Sequence, residues 1–218
     1  MPRPIILFDL DGTVIDSTEA ILESFRVAFG QFGHMIPADE SIKNEIGDTL
    51  ENMFLTLGVD SKKVDEHVQA YKMYYRTIHC QKTYLLDGAR DAIKKASRFA
   101  TLGVVTTKTG KYSREILEHL GLMNYFEVLI GREHVTHPKP DSEPILKALE
   151  NIEHNRNRVW MIGDTPMDIL SANNAGVNSV AVTSGYASYQ ELEKCASQIC
   201  DNILSAVNFI QNSVENYK

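Results

Sequence analysis

Two aspartates at the end of a short apolar run are the first residues whose types and spacing could do chemistry. Residues 5–8 are four large apolar residues, which predict a strand buried on both faces. Asp9 and Asp11 are two apart, so on extended backbone their side chains leave on the same side. Two such carboxylates repel each other unless a cation or a proton lies between them. The alternative is an acidic turn, for which Asp11-Gly12 is a common former.

Hydroxyl and amide groups follow a second apolar run, at residues 102–106. Thr106, Thr107 and Lys108 precede a helical pattern, so the Thr106 hydroxyl and successive backbone N–H groups could cradle an anion. The alternative is that these threonines cap the next helix. Taken alone, the motif favours the cap.

A lysine bracketed by prolines follows the third predicted strand, at residues 128–130. Pro138 and Pro140 stiffen the backbone around Lys139, which would hold its ammonium in a defined place. The alternative is a rigid polar loop with an incidental lysine.

The fourth predicted strand ends in Gly163-Asp164. Thr165, Pro166 and Asp168 then form a helix-capping pattern, so Asp168 is structural or both caps the helix and orients its neighbours. Asp164 is not needed as a cap. A third carboxylate at this edge is reasonable if a hard dication binds there.

Composition and charge restrict the class of partner. The 218 residues suffice for one domain with a good core, or for a core with a modest insertion. The net charge of −7, with no basic run, argues against nucleic acid or an anionic membrane as a partner. We find no signal peptide before Asp9 and no apolar run near the ~18 residues of a membrane span. Three cysteines without a CxxC pattern suit a reducing compartment, so we expect a cytoplasmic protein.

The elements that position these residues alternate between strand and helix. From residue 86 onward this alternation predicts a parallel sheet covered on both faces, with right-handed crossovers. The predicted strands are residues 5–8, 102–106, 128–130, 159–162, 179–182 and, at one edge, 198–200. The predicted helices of the same part are residues 89–99, 111–120, 142–150, 166–174 and 203–216.

Residues 16–85 show helical spacing of apolar residues and no alternating strand pattern. Asp16 followed by Glu19 predicts a helix start. Further helical patterns cover residues 41–57 and 62–79. We therefore expect an all-helical insertion between the first strand and its crossover.

Each chemically suggestive group follows a different predicted strand. In open parallel sheets, ligands bind outside the carboxyl ends of the strands, where the strand order reverses. Three carboxylates, a hydroxyl and a lysine are therefore expected at one edge of one sheet.

In these motifs the sequence resembles the haloacid dehalogenase (HAD) superfamily of phosphotransferases. The matching motifs are residues 9–13, Thr106, Lys139 and Gly163-Asp164 with Asp168. The phosphoglycolate phosphatase-like branch is similar in finer detail, with Thr107 in place of Asn and Ser142 in place of Pro. Pyrophosphatases of the same branch resemble the chain about equally, notably over residues 133–144.

The resemblance implies a fold and a division of the chain. The fold is an α/β, Rossmann-like doubly wound parallel sheet with a helical cap domain inserted after the first strand. Residues 1–15 and 86–218 would form the core, and residues 16–85 the cap.

The resemblance also implies roles for the residues. Asp9 would attack phosphorus and form an aspartyl-phosphate, and Asp11 would act as general acid and base. Mg²⁺ would be held by Asp9, Asp164 and the backbone carbonyl of Asp11. The groups expected to bind phosphate are Thr106, Thr107 and Lys139, and the supporting residues are Gly12, Gly163 and Asp168.

The substrate would be a small phosphorylated metabolite, with phosphoglycolate first and pyrophosphate second. Candidate specificity residues are Gly47, Asp48 and Thr49 in the cap, and Lys108 in the core. A sugar-phosphate mutase is a weaker alternative, because Ile46 stands where such mutases have a lysine before the glycine. A phosphoacceptor without turnover and a non-catalytic binding protein are the rivals from other classes. We expect a monomer or a homodimer.

Overall fold

The computed structural model describes residues 2–215. In chain order its strands are β1 (Ile5–Phe8), β2 (Ile15–Asp16), β3 (Tyr84–Leu85), β4 (Thr101–Val105), β5 (Val128–Ile130), β6 (Val159–Gly163), β7 (Asn178–Val182) and β8 (Ile199–Cys200). Its helices are α1 (Thr18–Gln31), α2 (Asp39–Lys43), α3 (Leu50–Thr56), α4 (Val64–Ile78), α5 (Ala89–Ala96), α6 (Gly110–His119), α7 (Glu143–Leu149), α8 (Pro166–Ala175), α9 (Tyr189–Leu192) and α10 (Ile203–Glu215). Residue 216, where we predicted that the last helix ends, lies outside the described residues.

The main sheet has six parallel strands in the order β5-β4-β1-β6-β7-β8. β4 and β5, the next strands of this sheet along the chain, lie on one side of β1. The later strands β6, β7 and β8 lie on its other side, so β1 is a central strand. The strand order therefore reverses between β1 and β6, and their carboxyl ends border the crevice where ligands bind in such sheets. The predicted α/β parallel sheet is confirmed.

Helices cover both faces of this sheet because the side chains of β1 alternate between two apolar layers. Ile6 and Phe8 pack in one layer with residues of α5, α6 and α10. Ile5 and Leu7 pack in the other layer with residues of α7 and α8. Every residue of β1 is buried, as the unbroken apolar run predicted.

The insertion has an apolar cluster of its own. Phe25 of α1 lies between Phe54 of α3 and Tyr71 of α4, with ring centroids 4.7 and 5.0 Å apart. An antiparallel ribbon of β2 and β3 joins this insertion to the sheet domain. The expectation of no strand near this boundary was wrong, because a two-residue pairing leaves no alternation for a sequence to show.

The helical pattern over residues 41–57 is divided in the structure. α2 ends at Lys43 and α3 begins at Leu50, and the loop between them contains Gly47 with a φ of +115°. A positive φ suits glycine because it has no Cβ. In the part of the chain that the structure describes, no helix combines the length and apolar character required to span a bilayer.

Candidate active site

Asp9 is buried at the carboxyl end of β1, with only 3% of its surface exposed. Its backbone N–H donates to the carbonyl of Ile162 in β6 over 2.8 Å, which fixes it at the strand-order reversal. Burial raises the pKa of Asp9 to about 7, and the charges of Asp168 and Asp11 act in the same direction. The Lys139 ammonium opposes this rise but does not cancel it.

Lys139 is buried between two carboxylates. Its Nζ donates to Asp9 Oδ1 over 2.8 Å and to Asp168 Oδ1 over 2.5 Å, and the Val105 carbonyl lies 3.4 Å away. Burial alone would lower the pKa of Lys139, but the charges of Asp168 and Asp9 outweigh burial and raise it. One ammonium thus forms ion pairs with two buried carboxylates. The cluster of Lys139, Asp9 and Asp168 therefore carries a net negative charge when all three side chains are ionised.

Asp168 has two structural functions. Its Oδ2 accepts hydrogen bonds from the backbone N–H and the hydroxyl of Thr165, at 3.0 and 2.8 Å, and so caps α8. Its Oδ1 holds Lys139. A Cβ on Gly163 would lie 2.2 Å from Asp168 Cγ, so the absence of a side chain there permits the close approach.

Asp164 is fully buried after β6, and the chain around it supplies two donors. The Thr13 hydroxyl donates to Oδ1 over 2.8 Å, and the Tyr186 N–H donates to Oδ2 over 2.9 Å. Burial and the charge of Asp9 raise the pKa of Asp164 well above its usual range. A Cβ at Gly12 would lie 2.3 Å from Oδ2, so this turn also needs glycine. Sequence reasoning missed Tyr186 and gave no role to Thr13, although Thr13 is the last residue of the first motif.

Three carboxylates lie close enough to hold one cation. Asp9, Asp164 and Asp168 each offer one oxygen within 4.8 Å of the others. Hard dications such as Mg²⁺ prefer oxygen ligands of this kind. Asp168 accepts three donors, whereas Asp164 accepts two and Asp9 accepts one, so Asp9 and Asp164 are the better ligands. The donor set fits a metal that would replace protons as the partner of these raised-pKa carboxylates.

Asp11 lies apart from this group. Its Oδ1 accepts from the Ser17 hydroxyl, and its Oδ2 lies 3.1 Å from Lys108 Nζ. The structure brings together the carboxylates of Asp9 and Asp164, and the carboxylate of Asp11, whose predicted metal ligand is the backbone carbonyl, lies apart from them. β1 ends at Phe8, so the extended backbone that would direct the Asp9 and Asp11 side chains to one side does not continue to Asp11.

Both threonine hydroxyls that were predicted to bind an anion after β4 already take part in hydrogen bonds within the protein. The buried Thr106 hydroxyl accepts from the Lys108 N–H over 3.2 Å, whereas the Thr107 hydroxyl donates to the Gly47 carbonyl of the insertion over 3.0 Å. Thr109 takes the N-cap position of α6, but its side chain makes no capping hydrogen bond.

Glu133 caps α6 instead of a threonine. Its carboxylate accepts from the Gly110 N–H over 2.8 Å and from the Lys111 N–H over 3.4 Å. Burial would raise the pKa of Glu133, but these N–H donors outweigh burial and lower it. The first amides of α6 are therefore occupied by a carboxylate from the loop after β5.

The loop between α2 and α3 contains three predicted specificity residues. A Cβ on Gly47 would lie 2.9 Å from Thr165 Cγ2, so this loop rests on the start of α8. Asp48 accepts from the Thr49 N–H and from Asn52 Nδ2, at 2.6 and 2.9 Å. Thr49 accepts from the Asn52 N–H over 3.3 Å and caps α3. Asp48 and Thr49 thus make local structural contacts.

A cleft of about 590 Å³ separates the insertion from the sheet edge. The apolar and aromatic residues that line it are Ile21, Ile46, Leu50, Met53, Tyr71, Tyr75 and Tyr112, and the charged ones are Asp11, Asp48, Glu51, Lys72, Lys108 and Arg132. Gly47 also lines the cleft, but Thr49 does not. Asp9 is buried and does not line this cleft.

The parallel sheet thus carries three carboxylates and a lysine where its strand order reverses, an arrangement that fits a phosphoric monoester hydrolase. A family model described as haloacid dehalogenase-like hydrolase matches residues 6–182. The chain belongs to this family, as the motifs predicted.

Relatives and solved structures agree with this assignment. The "Putative pyrophosphatase PpaX" of Caldanaerobacter subterraneus is 35% identical over 192 residues, which are 87% of this chain and 86% of that protein. Pyrophosphatase PpaX of Halalkalibacterium halodurans is 31% identical and covers 84% of this chain and 83% of its own. A haloacid dehalogenase-like hydrolase structure from Streptococcus pneumoniae is 26% identical and aligns with a TM-score of 0.87 over 96% of this chain and 99% of its own.

Proposed function

We propose that this protein is a Mg²⁺-dependent phosphatase that hydrolyses a small phosphorylated metabolite through an aspartyl-phosphate at Asp9. The observation that carries the proposal is the buried arrangement of Asp9, Asp164 and Lys139 at the strand-order reversal. Such an arrangement places a nucleophile, a dication site and a fixed positive charge within one phosphoryl group's reach.

The first half-reaction begins at Asp9. One of its carboxylate oxygens attacks phosphorus while the bond from phosphorus to the leaving oxygen breaks. Asp11 gives a proton to that leaving oxygen and then takes one from the water that hydrolyses the acyl phosphate. The Lys139 ammonium and the Thr106 and Thr107 groups bind the other phosphate oxygens and the charge that shifts onto them.

Mg²⁺ would be held by Asp9, Asp164 and the Asp11 backbone carbonyl. When bound, it supplies a Lewis acid and lets Asp9 stay ionised beside an anionic phosphate. The Thr13 hydroxyl and the Tyr186 N–H keep the Asp164 carboxylate oriented for that role.

We further propose that residues 16–85 act as a cap on a core of residues 1–15 and 86–218. Two contacts between these parts of the chain support the proposal: the Thr107 hydroxyl donates to the Gly47 carbonyl, and Lys108 Nζ donates to the Tyr75 hydroxyl. Opening would admit substrate to the buried Asp9, and closure would exclude bulk water during phosphoryl transfer.

Phosphoglycolate is the first candidate substrate and rests on the motif resemblance. Pyrophosphate is the second, and the names of the PpaX relatives favour it. The cleft carries three acidic and three basic side chains, which suits one added anionic group better than a second full phosphate.

The test compares kcat/KM for phosphoglycolate, pyrophosphate and a panel of sugar phosphates, with Mg²⁺ and with EDTA. We expect turnover of at least one small phosphate compound, loss of turnover in EDTA, and loss in Asp9→Asn of at least about 10⁴-fold. Borohydride reduction during turnover should convert Asp9, and no other aspartate, to homoserine. Wild-type rates in Asp9→Asn would refute the nucleophile assignment.

A further inference from the structure

Lys108 contacts both the sheet domain and the insertion. Its Nζ donates to the Tyr75 hydroxyl of α4 over 2.8 Å and lies 3.1 Å from Asp11 Oδ2. The Lys108 side chain is 9% exposed, and it lines the cleft together with apolar and aromatic residues. A lysine in such surroundings interacts more strongly with a nearby anion than a lysine in water does.

Asp11 is fully engaged in this arrangement. The Ser17 hydroxyl donates to Oδ1 while the Lys108 ammonium faces Oδ2. The Lys108 ammonium is therefore shared between the Asp11 carboxylate and the Tyr75 hydroxyl.

Lys108 is the partner that substrate can remove. Ser17 is fully buried next to the start of α1, whereas Lys108 has a flexible stem and faces the cleft. An anion that enters the cleft would compete directly with Asp11 for the same ammonium.

We propose that Lys108 recognises a second anionic group of the substrate, close to the scissile oxygen, and that this group takes the place of Asp11 as the partner of the Lys108 ammonium. This inference rests on the proposed function, in which the phosphorylated substrate binds at the sheet edge beside this cleft. The substrate class is a phosphate compound with a carboxylate or a second phosphate near the ester oxygen. Phosphoglycolate and pyrophosphate both belong to it, and simple alkyl phosphates do not.

The recognition step is an exchange of ion-pair partners. The Lys108 ammonium moves from Asp11 Oδ2 to the second anionic group of the substrate, and no covalent bond forms or breaks in this step.

The test is a ratio of kcat/KM values for phosphoglycolate and ethyl phosphate, which has the same two-carbon chain but no carboxylate. We expect wild-type protein to prefer phosphoglycolate by roughly 10- to 100-fold, as for a hydrogen bond to a charged group. In Lys108→Met the ratio should fall to about one, and Lys108→Arg should restore part of it.

Lys111→Met is the matched control, because Lys111 lies three residues further along the chain, is 74% exposed and does not line the cleft. Its ratio should stay at the wild-type value. Thermal unfolding checks the fold of each variant, and Lys108→Gln replaces Lys108→Met if the latter does not fold.

Two kinds of outcome distinguish a failure of the Lys108 proposal from a failure of the proposed phosphatase function. Equal wild-type kcat/KM for the two esters, or an unchanged ratio in the Lys108 variants, would overturn the inference and leave the phosphatase standing. No turnover of any phosphate compound by wild-type protein would overturn both.

Discussion

The molecule contains two aspartate–lysine pairs, and they differ in how they are held. Asp9 and Lys139 are 2.8 Å apart, with side chains 4% and 2% exposed. The other polar partners of Lys139 Nζ described above, Val105 and Asp168, also belong to the sheet domain. Asp11 and Lys108 are 3.1 Å apart at the cleft, and Lys108 also binds Tyr75 of the insertion. The first pair is thus fixed by the sheet, whereas the second depends on where the insertion lies.

This difference matches two requirements of phosphoryl transfer. Groups that bind the transferring phosphoryl work best when their positions are set in advance, since they then need no rearrangement during the reaction. Groups that handle the leaving group must respond to substrate and to closure. Burial provides the first property, and a contact across a cleft provides the second.

The largest expected effect comes from breaking the buried pair. Lys139→Met leaves the carboxylates of Asp9 and Asp168 buried without their shared ammonium, which should lower the free energy of unfolding by about 3–5 kcal/mol. Urea denaturation in EDTA at pH 7.5 measures the loss. Added Mg²⁺ should restore part of it, because the cation offsets the same negative charge.

Lys108→Met is the control for that experiment. Its pair with Asp11 is somewhat more accessible and Asp11 keeps the Ser17 hydroxyl, so we expect a smaller loss, about 1–3 kcal/mol, from the partly buried groups left without Lys108. Similar losses in Lys108→Met and Lys139→Met would show that the two pairs do not differ in the way the structure indicates.

The buried pair was predictable from sequence and the cleft pair was not. Asp9, Lys139 and Asp164 each follow a strand with a clear apolar pattern, and parallel strands bring their carboxyl ends together whatever the loops do. Lys108 meets Tyr75, 33 residues earlier, only because of how α4 is rotated and docked. Tertiary packing sets that rotation, and helical spacing alone places Tyr75 only on the apolar face.

Short or glycine-dependent features were also missed. The two-residue ribbon of β2 and β3 has too few residues to show a period. The break between α2 and α3 contains Gly47, which has a positive φ and where a Cβ would lie 2.9 Å from Thr165 Cγ2. Glu133 as the cap of α6 could not be foreseen, because the usual signal is a capping side chain at the helix start itself.

The pH dependence of the free energy of unfolding tests the burial of Asp9, which distinguishes the first pair from the second. The pKa of Asp9 rises from an ordinary 3.8 to about 7, so between these values the folded state binds more protons than the unfolded state. This contribution to stability is therefore present at low pH and is lost as pH rises through about 7. In metal-free protein it should amount to at most about 1.4 kcal/mol per pH unit.

Asp9→Asn isolates this contribution because the amide does not titrate. Between pH 5 and 7 the free energy of unfolding of wild-type protein in EDTA should fall by about 2 kcal/mol relative to that of Asp9→Asn. Saturating Mg²⁺ should flatten the wild-type curve, since the metal favours ionised Asp9. Parallel curves for the two proteins in EDTA would mean that burial does not raise the pKa of Asp9.

The smallest expected effect concerns Glu133, a carboxylate at the same sheet edge whose pKa moves in the opposite direction. Glu133 is solvent-accessible and holds the first N–H groups of α6, so its ionised form stabilises the helix start. Because its folded pKa is lowered, this stability is present at neutral pH and is lost as pH falls through the carboxyl range. Glu133→Gln should therefore cost about 1 kcal/mol or less at pH 7 and almost nothing near pH 3, by chemical denaturation at both values. The comparison with Asp9 fails if the cost of Glu133→Gln is the same at both pH values, since the carboxylate charge would then contribute nothing to the cap.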